Sequence, residues 1–124
     1  MKLIIDNRIG AHNKDDVLLN ADEHESLTAF HKLNGVQHTL LSLERPDGWQ
    51  LMIGGGPGLF VIVLQGQTQN FTLQNPTGNK NKTIGLCAGG QFGDFSEDIC
   101  VDKNMAKKAI SLFFSGKEKQ ETWV

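Results

Sequence analysis

The sequence predicts an α+β fold, a mostly antiparallel β-sheet meander with two α-helices packed on it. Two observations favour this fold class. Short runs in the middle of the chain alternate apolar and polar residues with a period of two, as half-buried strands do. Two other segments, near residues 21–34 and from 102 to 116, repeat apolar residues at helical spacing. With 124 residues, no internal repeat and no linker, the chain is expected to form one domain, residues 1–124.

The N-terminal part predicts a strand and a helix. Leu3-Ile4-Ile5 is apolar and indicates the first strand, and a polar loop is expected to follow it through residue 16. Asn20 is the expected N-cap of the helix near residues 21–34, because its side chain can accept a backbone hydrogen bond. Gly35 is expected to end that helix, since glycine tolerates the left-handed backbone conformation found there.

The middle of the chain predicts strands. Residues 41–43 and 49–53 alternate around Pro46-Asp47-Gly48, whose residue types favour a tight turn, and together they predict a β-hairpin. The continuous apolar run Leu59–Leu64 predicts a strand that is covered on both faces. Further short strands are predicted at residues 71–73, 83–87, 99–101 and 121–124.

The second helix has clear start and stop signals. Asp102 is its expected N-cap, and Gly116 is expected to close it. The apolar face of this helix consists of Met105, Ala109, Leu112 and Phe113. Both helices are expected on one face of the sheet, and Trp123 in the terminal strand is expected to pack inward.

The charge distribution excludes two classes of partner. The formal net charge is −2, so no general basic field draws the chain to nucleic acid. No charged residue occurs from Gly48 to Asn79, but the apolar run in that stretch is far shorter than the roughly 20 residues of a membrane span. The apolar core of the N-terminus, Met1–Asp6, is too short for a secretion signal. We therefore expect a cytoplasmic protein that binds neither nucleic acid nor a membrane.

Phosphate and metal sites are not expected. A phosphate-binding loop runs from a strand into a helix and ends in Lys and Ser or Thr, whereas Gly54–Gly58 leads into another predicted strand. It is interpreted as a tight strand connection. His24 and His31 lie seven residues apart, which on a helix is about 10 Å and too far for one ion. The histidines are interpreted as surface residues, and no cofactor is expected.

Catalytic chemistry is not indicated by the remaining residues. A nucleophilic cysteine needs a nearby histidine and an exposed, electropositive setting. Cys87 and Cys100 lie in apolar, strand-like segments and are interpreted as buried free thiols, and all four histidines precede residue 40. No serine has the Gly-x-Ser-x-Gly context of a nucleophile elbow. The sequence therefore favours a binding protein over an enzyme.

Three segments, taken in order, resemble one protein family. They are Leu51–Val61 with its glycine-rich turn, Gly89-Gly90-Gln91 followed by Phe92, and Val101–Phe114 followed by Gly116 and Thr122-Trp123. Their order and spacing over roughly residues 27–124 resemble the first family of bacterial polymorphic-toxin immunity proteins.

The resemblance implies a small α+β domain that binds a toxin and blocks its active site or substrate path. The toxin would be a nucleic-acid deaminase or nuclease domain, bound by a monomer in a 1:1 complex. No catalytic residue is implied, because members of the family are not enzymes. Gly54–Gly58, Gly89–Gln91, Phe113 and Trp123 are implied to form the fold rather than to contact the partner.

Aromatic and acidic residues on a predicted loop are the first candidates for contact with that partner. They are Gln91, Phe92, Asp94, Phe95, Glu97 and Asp98. A toxin that acts on a polyanion has a basic cleft, and an acidic loop with an aromatic anchor complements such a cleft. The alternative interpretation is that Phe92 and Phe95 belong to the core and the acids only keep the loop soluble.

Two other acidic segments are weaker candidates. Glu44 and Asp47 lie at the tip of the predicted hairpin. The acids between residues 15 and 25 form the other segment, although the helix dipole favours carboxylates in a first helical turn without any partner.

A second class of function stays open. The chain could be a non-enzymatic intracellular adaptor domain that binds a partner through a sheet edge. Its C-terminal Thr122-Trp123-Val124 also fits the type of terminal peptide that is read by strand addition.

Overall fold

The computed structural model describes residues 1–124 and has an α+β fold. The strands are β1 (Lys2–Ile5), β2 (Arg8–Ile9), β3 (His12–Asn13), β4 (Asp16–Leu18), β5 (Leu40–Glu44), β6 (Gln50–Gly55), β7 (Leu59–Gln65), β8 (Asn70–Thr72), β9 (Thr83–Ala88), β10 (Gln91–Ser96) and β11 (Val101–Asp102). The helices are α1 (Glu23–Phe30) and α2 (Lys103–Phe114), and short 3-10 turns span Glu97–Ile99 and Glu118–Gln120. The predicted fold class is confirmed.

The main sheet is antiparallel, with the order β11-β7-β6-β5-β1-β4. Strand β8 also pairs with β7, beyond the segment that β11 occupies. The central hairpin forms as predicted, with Gly48 in the left-handed region at φ 91° and the Gly48 amide bonded to the Arg45 carbonyl at 3.1 Å. The alternating apolar residues of β5 and β6 face each other across this hairpin, with Leu41 opposite Ile53 and Leu43 opposite Leu51.

The core lies between one face of the sheet, here called the inner face, and the two helices. Fully buried side chains from the central strands include Leu41, Leu51, Ile53 and Ile62. The helices contribute Phe30, Ala106, Ala109, Ile110 and Phe113 to the same cluster. Because both helices bury residues in this one cluster, they pack on the same face of the sheet, as predicted.

Helix α1 is shorter than predicted and begins at a different cap. The Asp22 side chain accepts a hydrogen bond from the Glu25 amide at 2.7 Å, and the Asp22 amide donates one to the Glu25 carboxylate at 3.1 Å. This reciprocal capping box satisfies two amides at once, which Asn20 does not. Helix α2 is capped by Asp102, whose carboxylate accepts from the Met105 amide at 2.8 Å, and this cap was predicted correctly.

The predicted polar loop after β1 is wrong. Strands β2 and β3 form a small hairpin there, and β4 then pairs with β1, with Ile4 opposite Val17. Strand β1 lies between β5 and β4, so β4 satisfies backbone groups that a loop would have left unpaired.

The glycine-rich turn between β6 and β7 connects two strands, as predicted. Gly55 and Gly56 have φ values of 105° and 102°, which favour glycine. A Cβ atom at Gly56 would lie 2.5 Å from the Leu33 carbonyl oxygen, so the turn also packs directly against the segment that follows α1.

The C-terminal residues extend the sheet at β8, although no full strand forms. Thr72 and Val124 exchange backbone hydrogen bonds of 2.8 and 3.0 Å, and Leu73 forms an isolated bridge with Trp123. The Trp123 ring is half-buried, and its Nε1–H donates to the Glu118 carbonyl at 2.8 Å. Neither helix of the fold has the length and apolar character needed to cross a membrane.

Candidate partner-binding surface

Strands β9 and β10 form a separate two-stranded hairpin, here called the arm. The prediction that residues 83–87 continue the main meander is wrong, because β9 pairs only with β10. The predicted loop at residues 91–98 is wrong as well: residues 91–96 are strand β10, and Glu97 and Asp98 begin a 3-10 turn. Since side chains alternate along a strand, the candidate residues of this segment are divided between two faces of the arm.

The inner side of the arm packs on the outer face of the main sheet. Phe95, Ile84 and Leu86 lie on this side and contact a small apolar cluster that contains Val61 and Cys100. Phe95 is therefore part of the core, and the hypothesis that it contacts a partner is not supported by its position.

The arm packs on the main sheet at Gly54, a position that has no side chain. A Cβ atom at Gly54 of β6 would lie 2.5 Å from the Ala88 Cβ, so the bare backbone of Gly54 permits β9 to approach. At the tip of the arm, the Gly90 amide donates to Thr39 Oγ1 at 2.9 Å. The same glycine lies against the Arg8 guanidinium, since a Cβ there would lie 2.3 Å from Nη1. Because Ala88 lies opposite Gln91 beside the turn that contains Gly90, these contacts together fix the tip end of the arm on the main sheet.

Adding a methyl group at the arm seat should destabilise the fold. We expect Gly54→Ala to lower the free energy of unfolding by about 1–3 kcal/mol, because the new Cβ overlaps Ala88 in a packed layer. Urea denaturation followed by circular dichroism measures this change. Gly58→Ala is the matched control, since a Cβ at Gly58 meets no atom within 4 Å. Equal stability of the two variants would contradict the close packing of Ala88 on Gly54.

A buried carboxylate supports the tip of the arm. Asp6 is 4% exposed and accepts hydrogen bonds from the Thr39 amide at 2.6 Å, the Leu40 amide at 3.0 Å and Arg8 Nε at 2.7 Å. The Thr39 hydroxyl also donates to Asp6 while accepting from Gly90. Burial alone would raise the pKa of Asp6, but the hydrogen bonds from Thr39, Leu40 and Arg8 outweigh it and lower the pKa below 3.8.

The outer side of the arm presents an aromatic ring to solvent. The Phe92 side chain is 78% exposed, and its ring lies over Gly85 of the neighbouring strand, where a Cβ would be 2.8 Å from the ring. Asp94 lies on the same side, is exposed and flanks the ring. Ser96 follows it on this side and donates to the Asp98 carboxylate. Phe92, Asp94 and Asp98 are here called the arm face.

The other predicted contact residues have local roles. Gln91 is exposed at the tip end of β10. Glu97 accepts a hydrogen bond from the Asn79 amide at 2.8 Å, which ties the 3-10 turn to the preceding loop. Phe92 and Asp94 are therefore the exposed candidates that share the outer side of the arm, and the half-buried Asp98 is linked to that side through Ser96.

Glu44 and Asp47 lie on the central hairpin, and Asp47 is engaged by a neighbouring arginine. Arg45 pairs with Asp47 at 3.0 Å and with the buried Glu118, and its Nη1 donates to the Phe113 carbonyl at 2.9 Å. Burial raises the pKa of Asp47, but the hydrogen bond and charge of Arg45 and the Trp49 amide lower it overall. Glu44 is half-buried and accepts from Gln50 at 3.3 Å. The Asp47 side chain is 54% exposed, so its pair with Arg45 remains accessible to solvent.

The thiols and histidines lie apart from one another. Cys100 is buried, and its pKa is raised by burial and by the charges of Glu97 and Asp98. Cys87 is only half-buried, which corrects the prediction that both thiols are enclosed. His38 is also half-buried, with Nδ1 2.6 Å from the Asp6 carbonyl oxygen, so the interpretation of the histidines as surface residues is not correct for His38. No group of three His, Cys, Asp or Glu residues is arranged to hold a metal ion.

A second exposed apolar surface was missed by the sequence reasoning. Three of the seven strongly exposed large apolar residues are consecutive and lie in or directly after β4: Val17, Leu18 and Leu19. The signal in the sequence is the apolar run Val17-Leu18-Leu19 inside an otherwise polar segment. Beside this run, a groove opens between β4 and α1.

Comparison with known proteins adds no relative to this description. Neither a scan against protein-family models nor a search of the curated proteins found a match to this chain.

Proposed function

We propose that this chain is a cytoplasmic immunity protein that binds a cognate bacterial toxin domain and neutralises it by occluding its active site or substrate path. It acts as a monomer in a 1:1 complex and is not itself an enzyme. The toxin is a nucleic-acid deaminase or nuclease domain, and the resemblance stated above is the source of this assignment.

The observation that supports this proposal most is the arm face. Large aromatic side chains are normally buried, whereas Phe92 is 78% exposed. Because it lies on a strand that is already ordered, little conformational entropy is lost when a partner covers it. Asp94 beside the ring, and the half-buried Asp98 beyond the end of β10, add negative charge to the arm face, and a cleft that binds a polyanion is lined with positive charge. The arm face therefore has an apolar anchor and an acidic rim, the arrangement that suits occlusion of a basic cleft.

Removing the Phe92 ring should weaken the complex without unfolding the protein. We expect Phe92→Ala to lower the affinity for the toxin by about 30-fold, which corresponds to roughly 2 kcal/mol for a central interface residue. Calorimetric titration of the purified toxin domain measures the change. Val124→Ala is the matched control, because Val124 is 73% exposed but belongs to the C-terminal segment at β8. An affinity that Phe92→Ala leaves unchanged would remove the arm face from the interface.

Survival of cells tests the function itself. The toxin fragment is taken from the gene directly upstream, because an immunity gene follows a large gene whose variable C-terminal segment is toxic. Cells that express the fragment with this chain are expected to grow, and cells that express the fragment alone are expected to die. Equal killing in both cultures would contradict the proposal.

The adaptor alternative is favoured by one observation only, the exposed edge at β4. The second version of the adaptor hypothesis is that a partner recognises the terminal Thr122-Trp123-Val124 by strand addition. This would require that the terminal segment has free backbone groups. Val124 already exchanges two backbone hydrogen bonds with Thr72, and Thr122 accepts one from Gln74 at 3.0 Å. A chain truncated before Val124 is therefore expected to keep its partners in a pull-down experiment.

A further inference from the structure

Strand β4 is an unprotected edge of the main sheet. Its only hydrogen-bonded neighbour is β1, so its other side carries unpaired backbone groups. The Asp6 amide bonds to the Leu40 carbonyl at 3.2 Å, which fixes the alternation along β1. It follows that the backbone N–H and C=O groups of Leu3 and Ile5 point towards β4, where Leu18 and Asp16 are their partners.

The same alternation places the backbone N–H and C=O of Val17 on the outside of the sheet. The Val17 amide donates to no backbone or side-chain acceptor outside the sheet ladder. Leu19 lies in the turn after β4, where Ala21 instead of Asn20 bonds to Met1, so the regular alternation ends at Leu18. Natural edge strands are often very short or are protected by lysine, proline, a bulge or a covering element. Strand β4 is short, at three residues, but it contains neither lysine nor proline.

Apolar surface lies on both sides of this free edge. Val17 is 49% exposed and, like its partner Ile4, belongs to the outer face of the sheet. Leu19, in the turn that follows β4, is 71% exposed. Leu18 is 42% exposed and faces the groove between β4 and α1. The floor of that groove is formed by Leu3 and Ile5 of β1. A strand placed beside β4 would therefore bury apolar surface on both of its faces.

An extended strand at this edge would also continue an existing cross-strand row. The row consists of Val17, Ile4, Ser42, Met52, Val63 and Thr72, one residue from each of six strands. Cross-strand neighbours of this type stabilise sheets when they are apolar or β-branched. A β-branched or aliphatic residue of the added strand would fit opposite Val17.

The charge around β4 determines which kind of added strand would be attracted to this edge. Residues 14–25 contain five acids and one base, Lys14, which gives a local net charge of −4. The acids include Asp16 and Glu25, which line the groove, and the basic Lys32 is also part of its wall. An acidic second copy of the same segment would be repelled, whereas a strand carrying lysine or arginine would be attracted.

We propose that β4 binds an extended segment of the toxin by strand addition, and that this segment alternates aliphatic residues with lysine or arginine. This inference rests on the proposed function and names the form of one contact. The added segment forms main-chain hydrogen bonds with the N–H and C=O of Val17 and places side chains in the groove beside α1. The complex thus has two contacts, at the arm face and at the β4 edge.

The first test is a variant that removes one outward-pointing backbone amide of β4 and leaves the hydrogen bonds between β4 and β1 intact. Val17→Pro lacks the N–H that points away from β1, and proline is tolerated on edge strands in that position. We expect Val17→Pro to weaken binding of the upstream-encoded toxin fragment by about tenfold or more, since a hydrogen bond is lost and the ring obstructs pairing. Val17→Thr keeps the amide and the β-branched shape and is expected to bind as the wild type does.

Amide hydrogen exchange gives a second measurement that needs no variant. In the wild-type complex, the amide of Val17 is expected to exchange at least about tenfold more slowly than in the free chain. Unchanged exchange at this amide, or equal affinity of Val17→Pro and Val17→Thr, would overturn strand addition while leaving the immunity function in place. A wild-type chain that binds no toxin would overturn the proposed function and this inference together. Dimerisation of the free chain that Val17→Pro abolishes would assign the edge to a second copy instead.

Discussion

Replacing Arg45 with methionine is expected to lower the free energy of unfolding by about 3–5 kcal/mol, because the buried Glu118 carboxylate would lose its charged partner. The Glu118 side chain is only 8% exposed and the Arg45 side chain 13%. The Arg45 guanidinium also lies 4.3 Å from the Phe113 ring centroid and donates to the Phe113 carbonyl. Burial lowers the pKa of Arg45, but its bonds to Glu118 and Asp47 raise it overall, so the charge is held in place.

Urea denaturation measures this loss, and two further variants make the result specific. Lys80→Met removes an exposed base and is expected to change stability by no more than about 0.5 kcal/mol. In a double-mutant cycle, Glu118→Gln combined with Arg45→Met should cost less than the sum of the single changes. A loss at Arg45 as small as that at Lys80 would contradict the described contact between the central hairpin and the C-terminal segment.

Asp6→Asn is expected to lower the free energy of unfolding by about 2–3 kcal/mol at neutral pH, because hydrogen bonds to a buried charged acceptor are among the strong ones. The amide would retain one acceptor oxygen but would place an N–H₂ group against the donors Thr39 Oγ1 or Arg8 Nε. Thermal or urea unfolding measures the loss. Asp94→Asn is the matched control, since Asp94 is exposed and accepts no hydrogen bond.

Asp6→Asn should also change how the free energy of unfolding depends on pH in the acid range. The pKa of Asp6 is lower in the folded protein than the ordinary value of 3.8, so its ionised form stabilises the fold. This contribution is fully present above the unfolded pKa and is lost as the pH falls through the folded pKa. The stability difference between wild type and Asp6→Asn should therefore be constant near neutral pH and shrink below about pH 4. A difference that does not shrink in acid would contradict the hydrogen-bonded carboxylate.

Local signals allowed much of the fold to be predicted from the sequence. The turn at Pro46-Asp47-Gly48 and the cap at Asp102 depend on residues within three positions of each other, and both were predicted correctly. The first helix is capped by Asp22 instead of the predicted Asn20, and the bond from the Asp22 amide to the Glu25 carboxylate completes the capping box there. Contacts between residues distant in sequence were not predictable, because Arg45 and Glu118 are 73 residues apart and Asp6 and Thr39 are 33 apart.

The arm shows why the candidate surface was predicted only in part. Phe92, Asp94 and Ser96 alternate with Gln91, Gly93 and Phe95, which is a strand pattern, but the glycine and the acids indicated a loop. The two aromatics were therefore treated as equivalent, whereas an odd spacing of three residues places them on opposite sides of the strand. The seat of the arm depends on Gly54, whose role becomes visible only once Ala88 lies against it.

Stoichiometric inhibition of the toxin tests the central claim most directly. The purified toxin domain from the upstream gene is assayed on nucleic acid while this chain is added in increasing amounts. Activity is expected to fall to zero at one equivalent of the wild-type chain, and Phe92→Ala should need a clear excess to reach the same inhibition. Full toxin activity in the presence of a large excess of the folded wild-type chain would contradict the account.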